Sequence, residues 1–173
     1  RGMGEVGGAY IQFLDADDRL LEGKIARQVG LALAAGGPAL VVGGYRNQWQ
    51  DGRQEDVIPT QSAPWSAWIS ARLGTTSANL WQRTAIEAVG GWKADQASSQ
   101  DYELSHRLLK DGHGILLDPV VGALITKRAI GSISRTDAGG NLERYIRLRA
   151  HVRDHLRSCE AHRFARELNL VEQ

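Results

Sequence analysis

Tyr10-Ile11-Gln12-Phe13-Leu14-Asp15-Ala16-Asp17-Asp18 is the stretch on which the reading of this chain turns. An apolar run ends in three carboxylates and is followed by a helical pattern. A buried strand of this kind, read over Ala9 to Leu14, delivers its acids to the sheet's C-terminal edge, where open α/β sheets bind ligands. Carboxylates crowded together raise one another's pKa unless a cation joins them. Hard oxygen ligands from one or two side chains suit Mg²⁺ or Mn²⁺, which usually also holds substrate phosphates. The acids therefore point to a metal–diphosphate site. The competing reading is a solvated helix start, with Asp18 capping the helix downstream.

Working outward, Glu22 to Ala35 has apolar residues at Ile25, Val29 and Leu33, spaced as one helix face and stopped by Gly36-Gly37-Pro38. Ala39 to Gln48 reads as a strand, with Asp51-Gly52 turning into a second strand over Arg53 to Ile58. A short helix is expected over Pro64 to Ala71, a strand over Ser77 to Gln82, and a short helix over Thr84 to Val89 closed by Gly90-Gly91. Ser98 or Ser99 is a candidate cap for a helix running to about Lys110, with Asp101 in its first turn. Ile115 to Leu117 and Val120 to Thr126 read as two strands. From Asn141 to about Arg166 the chain reads as one or two basic helices, with Leu142, Tyr145, Val152 and Leu156 on one face. Helices alternating with strands indicate an α/β layered domain.

At 173 residues, one domain is the natural expectation, and 42% hydrophobic residues suffice for a core. A net charge of +1 argues against nucleic acid as a partner. Cys159 is the only cysteine, which excludes an intrachain disulfide and fits a reducing compartment. No apolar run reaches the length of a membrane span. The expected location is cytoplasmic, with room for peripheral contact at the inner face of the membrane. The chain begins at Arg1 and enters a strand almost at once, so it is expected to be a piece of a longer protein.

Three metal-using classes lack residues they would need. Phosphatases of the haloacid-dehalogenase type continue their Asp-x-Asp with Gly-Thr, where this chain has Asp18-Arg19. An EF-hand loop would need a ligand and a glycine where Arg19 and Leu20 stand. His151 and His155 share a helix face but lack the Glu and the third ligand of a zinc site.

Taken in order, Tyr10 to Asp18, then Ser77-Ala78-Asn79-Leu80 with Arg83, then Val89-Gly90-Gly91-Trp92, then Gln100-Asp101-Tyr102-Glu103-Leu104 with Arg107 and Gly112, resemble the motifs of family 2 glycosyltransferases. Lys127 to Ser134 is similar to that family's loop after its last sheet strand. The resemblance runs from about Gly8 to Arg135. It implies a three-layer α/β/α nucleotide-diphospho-sugar transferase fold, A-type and Rossmann-like. The fold would be partial here, because the family's first strands, with most of its nucleobase and ribose pocket, would precede Arg1. On this reading residues 1–135 are the C-terminal portion of the catalytic domain, with its metal and acceptor side. Residues 136–173 form a helical C-terminal extension.

The activity implied is inverting transfer of a sugar from a nucleotide-diphosphate donor to an acceptor hydroxyl, in polysaccharide, lipopolysaccharide or other glycoconjugate synthesis. The rivals are an Asp-x-Asp phosphatase and a non-catalytic nucleotide-sugar-binding module. Asp17 and Asp15 would hold Mg²⁺ or Mn²⁺, and Asp15, Asp17 and Lys127 would meet the donor. Asp101 would be the general base, with Glu103 secondary because it points elsewhere on the helix. Family members often carry Tyr-Arg-x-His where this chain has Thr126-Lys127-Arg128-Ala129. Trp65, Trp68 and Gln100 are candidates for the acceptor side, although tryptophans are more often core anchors. The acceptor would be a sugar, a lipid-linked molecule or a protein. Seven arginines and no lysine over 141–166 read as a solvated helix face or as a docking surface for anionic lipid.

Overall fold

The computed structural model describes residues 2–5, 7–60, 63–128, 137–159 and 164–172. Its spine is the parallel pair of two long strands, β3 (Leu40–Trp49) and β6 (Ile115–Lys127), in register from Leu40 opposite Ile115 to Trp49 opposite Lys127. Around them lie the short strands β1 (Tyr10–Ile11), β2 (Arg19–Leu20), β4 (Gln54–Val57) and β5 (Leu80–Gln82). The described sheet runs β1-β5-β3-β6-β2, with β4 hairpinned onto β3. Every pairing other than β3–β6 is antiparallel.

The helices are α1 (Lys24–Ala34), α2 (Pro64–Ile69), α3 (Arg83–Ala88), α4 (Gln100–Lys110), α5 (Ala138–Ser158) and α6 (Ala165–Glu172). Alternation along the strands sorts them into layers. Val41 and Leu80, with Leu116 beside them, face Ala32 and Val29 of α1. Ile11, Leu40, Val42 and Trp81 face the opposite way and share one cluster with Trp68, Ile86, Leu104, Val152 and Val171, drawn from α2, α3, α4, α5 and α6. The result is three layers, helix–sheet–helices. The C-terminal helices contribute Leu148, Val152, Leu156 and Val171 to the main core, so α5 and α6 pack as part of the same body.

Several expectations are corrected. The two strands expected at 115–117 and 120–126 are one. Pro119 lacks an N–H, and β6 bulges there instead of ending, its register slipping between Gly43 and Tyr45 of β3. The Asp118 carboxylate accepts the Val120 N–H at 3.2 Å across the bulge. Helix α1 buries Lys24, Gln28 and Ala32, while Leu33 is 69% and Ile25 39% exposed. The cause lies in the sheet below. A Cβ on Gly122 would sit 2.5 Å from Lys24 Cγ, and one on Gly43 2.5 Å from Gln28 Nε2. Bare glycine backbone lets α1 come close, and long polar side chains fill the gap. Asp18 does not cap α1; Gly23 stands at its N-cap, with no side-chain bond. Ser99 precedes α4 in a left-handed conformation without capping it, and Ser98 instead accepts from Arg144 at 2.9 Å. On α5, Leu142 is exposed and Leu148 takes its expected place in the core.

The arginines of α5 are largely engaged within the chain. Arg149 donates to the carbonyls of Ile69, Leu170 and Val171, closing the ends of α2 and α6. Arg144 meets Asp137 at 2.9 Å, Arg153 meets Asp154 at 2.9 Å, and Arg157 meets Glu172 at 2.5 Å. Arg163 lies outside the described residues. Among the described residues no helix is long and apolar enough to cross a membrane.

Candidate functional site

The turn after β1 separates the three acids. Asp18 N–H closes it on the Asp15 carbonyl at 3.1 Å. The Asp18 carboxylate then faces inward, accepting the Ser77 hydroxyl at 2.7 Å and the Thr126 N–H at 3.0 Å. Ser77 Oγ also receives the Asp15 N–H at 3.1 Å, and Thr126 Oγ1 donates to the Asp17 carbonyl at 2.5 Å. One acid thus ties the turn to β6 and to the segment before β5. Asp15 and Asp17 are left exposed. Burial of its surroundings, then the charges of Asp18 and Asp17, hold the Asp15 carboxyl above its ordinary value.

Asp101 enters from the first turn of α4 and is half-buried. Burial raises its pKa; the Tyr102 N–H, at 2.9 Å, and the Thr76 hydroxyl pull the other way, and the charge of Asp15 adds to the rise. The fold has therefore brought Asp15 and Asp101 within electrostatic reach of each other from distant parts of the sequence. Burial, and after it the Asp101 charge, push the Tyr102 phenol above its usual range. Tyr45 of β3 joins this group. Its phenol is raised by burial, lowered by Arg72, and raised again by Glu55 and Asp101.

Aromatic packing fixes the acidic turn relative to α4. Phe13 stands edge-on to Trp92 at 5.2 Å and to Trp81 at 6.5 Å, and Trp81 meets Trp92 at 5.8 Å. Arg107 clamps the glycine turn ahead of Trp92. It donates to the Val89 carbonyl and, at 2.6 Å, to that of Gly91, and pairs with Glu103 at 2.7 Å. Glu103 is buried and also bridged by Lys93 at 2.7 Å. Burial works to raise its pKa, but these partners outweigh it and hold the carboxyl below its ordinary value. Glu103 points away from Asp101, as its helical position implies.

Trp65 and Trp68 are not an acceptor platform. Trp68 is fully buried and Trp65 nearly so, and neither offers a ring face to a sugar. Trp68 Nε1 donates to the Tyr102 carbonyl at 2.9 Å, propping the first turn of α4 from beneath, and Trp65 packs against His155 at 5.3 Å. Gln100 is exposed at the start of α4. Lys127 closes β6, but it is Arg128 whose guanidinium reaches Asp17, at 3.2 Å. Thr126 and Arg128, two residues apart, both contact Asp17. The rest of that loop, from Ala129 to Ser134, lies outside the described residues.

Among the described residues no three His, Cys, Asp or Glu side chains converge as a complete metal cage. The donor set nonetheless fits Mg²⁺ or Mn²⁺. Two exposed carboxylates, one of them held above its ordinary value by burial and then by its acidic neighbours, suit a site completed by water and substrate phosphates. A concavity of about 800 Å³ lies between α4 and α5, lined by Lys93, Glu103, Arg107 and Arg144 among others, and Asp15, Asp17 and Asp101 are not in its lining. The candidate site is marked by its chemistry rather than its depth.

Thr76 and Tyr45 carried no motif signal of their own, and the segments that include Ser77 and Arg128 gave no sign of these contacts. Their roles depend on which strand lies beside which. No protein-family profile and no curated protein matches the chain. Solved structures do. Staphylococcus aureus TarS 1-349 in complex with UDP-GlcNAc matches over 94% of this chain and 51% of its own, with a TM-score of 0.66 and 10% identity. The same protein without that ligand matches over 98% and 47%, with a TM-score of 0.64 and 9% identity. Its complex with UDP covers 89% and 42%, at a TM-score of 0.59 and 9% identity. The chain thus shares the fold of TarS 1-349, and it spans about half the length of that chain.

Proposed function

We propose that this chain is the metal and acceptor side of an inverting glycosyltransferase of the family 2 type, acting in polysaccharide or other glycoconjugate synthesis. The observation that carries the reading is the pairing of a two-carboxylate acidic turn with Asp101, on a fold shared with a protein solved with UDP-GlcNAc. Asp15 and Asp17 would hold the divalent ion, which when bound neutralises charge developing on the leaving diphosphate. Arg128, which pairs with Asp17 at 3.2 Å, would meet the same phosphates, with Lys127 next to it at the end of β6.

The Asp101 carboxylate takes the proton of the acceptor hydroxyl as its oxygen bonds to the anomeric carbon. The bond from that carbon to the donor's phosphate oxygen breaks in the same displacement. Glu103 is committed to Arg107 and Lys93, so one base and no carboxylate nucleophile implies inversion. A raised Asp101 pKa makes a stronger base at the cost of an acid limb above the ordinary aspartate range.

Asp101→Asn in the full-length protein is expected to lower turnover by about 10²–10⁴-fold. Manganese-promoted binding of the nucleotide sugar, followed by calorimetry, should persist in that variant. Near-normal turnover would remove the base assignment. Absence of any metal-promoted donor uptake by the wild type would remove the function.

A further inference from the structure

We propose that Lys24, buried beneath the acidic turn and bonded to Gln12 and Asn79, is a positioning residue that sets the geometry of Asp15 and Asp17. This deepens the glycosyltransferase reading and rests on it for its functional arm.

Lys24 is fully buried, and its stem crosses the sheet where Gly122 leaves room for it. Among the described residues no carboxylate pairs with its ammonium. Asp118, the acid that acts on it, is engaged by Arg27 at 2.9 Å and by Gln28 at 3.1 Å. An apolar side chain would fill this slot at lower desolvation cost, so what the lysine adds is its amine. Nζ donates to Gln12 Oε1 and, at 3.2 Å, to the Asn79 carbonyl. One acceptor lies just past the end of β1 and the other just ahead of β5.

An ammonium has three donors and no acceptor, so only the oxygen of the Gln12 amide can meet it. That fixes the orientation of the amide. Gln12 Nε2 must then face the other way, where it donates to the Phe13 carbonyl and, at 3.0 Å, to the Ser77 carbonyl. Ser77 in turn holds the Asp15 N–H and the Asp18 carboxylate. A continuous chain of hydrogen bonds runs from Lys24 through Gln12 and Ser77 to the turn that presents Asp15 and Asp17. Lys24 touches neither acid, which separates positioning from ligation.

Lys24→Met keeps the length of the stem and removes every donor. Amide hydrogen exchange over residues 12–18 of the full-length protein is expected to quicken at least about tenfold in this variant. Ser66→Ala, which breaks a buried bond to Glu167 at 2.6 Å away from the turn, serves as the control for general destabilisation. It should leave that exchange unchanged. The manganese-dependent KM for the nucleotide sugar should rise about tenfold in Lys24→Met while kcat stays within about threefold.

Unchanged exchange in Lys24→Met, or an equal change in Ser66→Ala, overturns the proposal. So does faster exchange with an unaltered donor KM. If the wild type takes up no nucleotide sugar, the function fails, and the exchange comparison still decides whether Lys24 holds the turn.

Discussion

Lys24 also marks itself in the pH dependence of stability. Burial first, and Arg27 after it, outweigh the pull of Asp118 and hold its pKa down at about 7, against 10.5 when free. Above the folded value the native protein loses this proton while the unfolded chain keeps it. The unfolded state then binds more protons, and stability rises with pH. The expected outcome is a gain in unfolding free energy between pH 7 and 9 in the wild type. Lys24→Met should be flat across that window by urea titration, which stays below the range where tyrosines ionise. Gly43 gives a steric counterpart. A Cβ there would lie 2.2 Å from the Ala78 carbonyl and 2.5 Å from Gln28 Nε2. Gly43→Ala is therefore expected to cost about 1–3 kcal/mol of stability, read from the urea midpoint. At this scale the sequence announced Asp15, Asp17 and Asp101 through residue type and order. It could not announce Lys24 or Gly43, because a lysine in a helix and a glycine in a strand acquire meaning only from the surface opposite.

At the scale of elements, the clearest lesson is α1. Ile25, Val29 and Leu33 form a regular apolar stripe, yet Lys24, Gln28 and Ala32 go inside. Periodicity finds the helix and not its rotation, because the choice of face depends on what the sheet presents. Glycines at 43 and 122 present bare backbone. Strand β6 shows the converse: Pro119 reads as a break, but a long parallel partner carries the strand across it through a bulge. Helix α4 was legible in extent though not in its cap, since Asp101 lies in its first turn and Gly112 follows it as the motif order suggested. What the motif did not reveal is why Arg107 belongs to it. Arg107 ties the carbonyls of Val89 and Gly91 to Glu103, joining the glycine turn to the helix that carries Asp101. Arg107→Met would leave the buried Glu103 with Lys93 alone. The expected loss is about 3 kcal/mol in unfolding free energy. Turnover should fall as well, because Trp92 and α4 lose their common anchor; unchanged stability would show the clamp to be idle.

For the whole molecule, the question is whether 137–172 is an appendage or part of the fold. An appendage would leave a complete core behind when removed. Here Leu148, Val152 and Leu156 of α5 and Val171 of α6 lie in the same cluster as Trp65, Trp68, Leu104 and Leu108. Ser66 of α2 bonds Glu167 of α6 at 2.6 Å, and Arg149 of α5 closes the C-terminal end of α2 through the Ile69 carbonyl at 2.9 Å. Burying each large apolar side chain of this kind is worth about 1.5–3 kcal/mol. Four of them approach the entire margin by which a domain is stable, about 5–15 kcal/mol. Trp68 links this region to the site, since its indole supports the Tyr102 carbonyl beside Asp101. Ending the chain at residue 136 is therefore expected to abolish the cooperative unfolding transition and expose Trp65 and Trp68 to solvent. A red-shifted tryptophan emission and a lost thermal transition would report it. A shortened chain that kept a sharp transition would show that the sheet and α4 stand without the C-terminal helices, and that the site's support comes from the sheet alone.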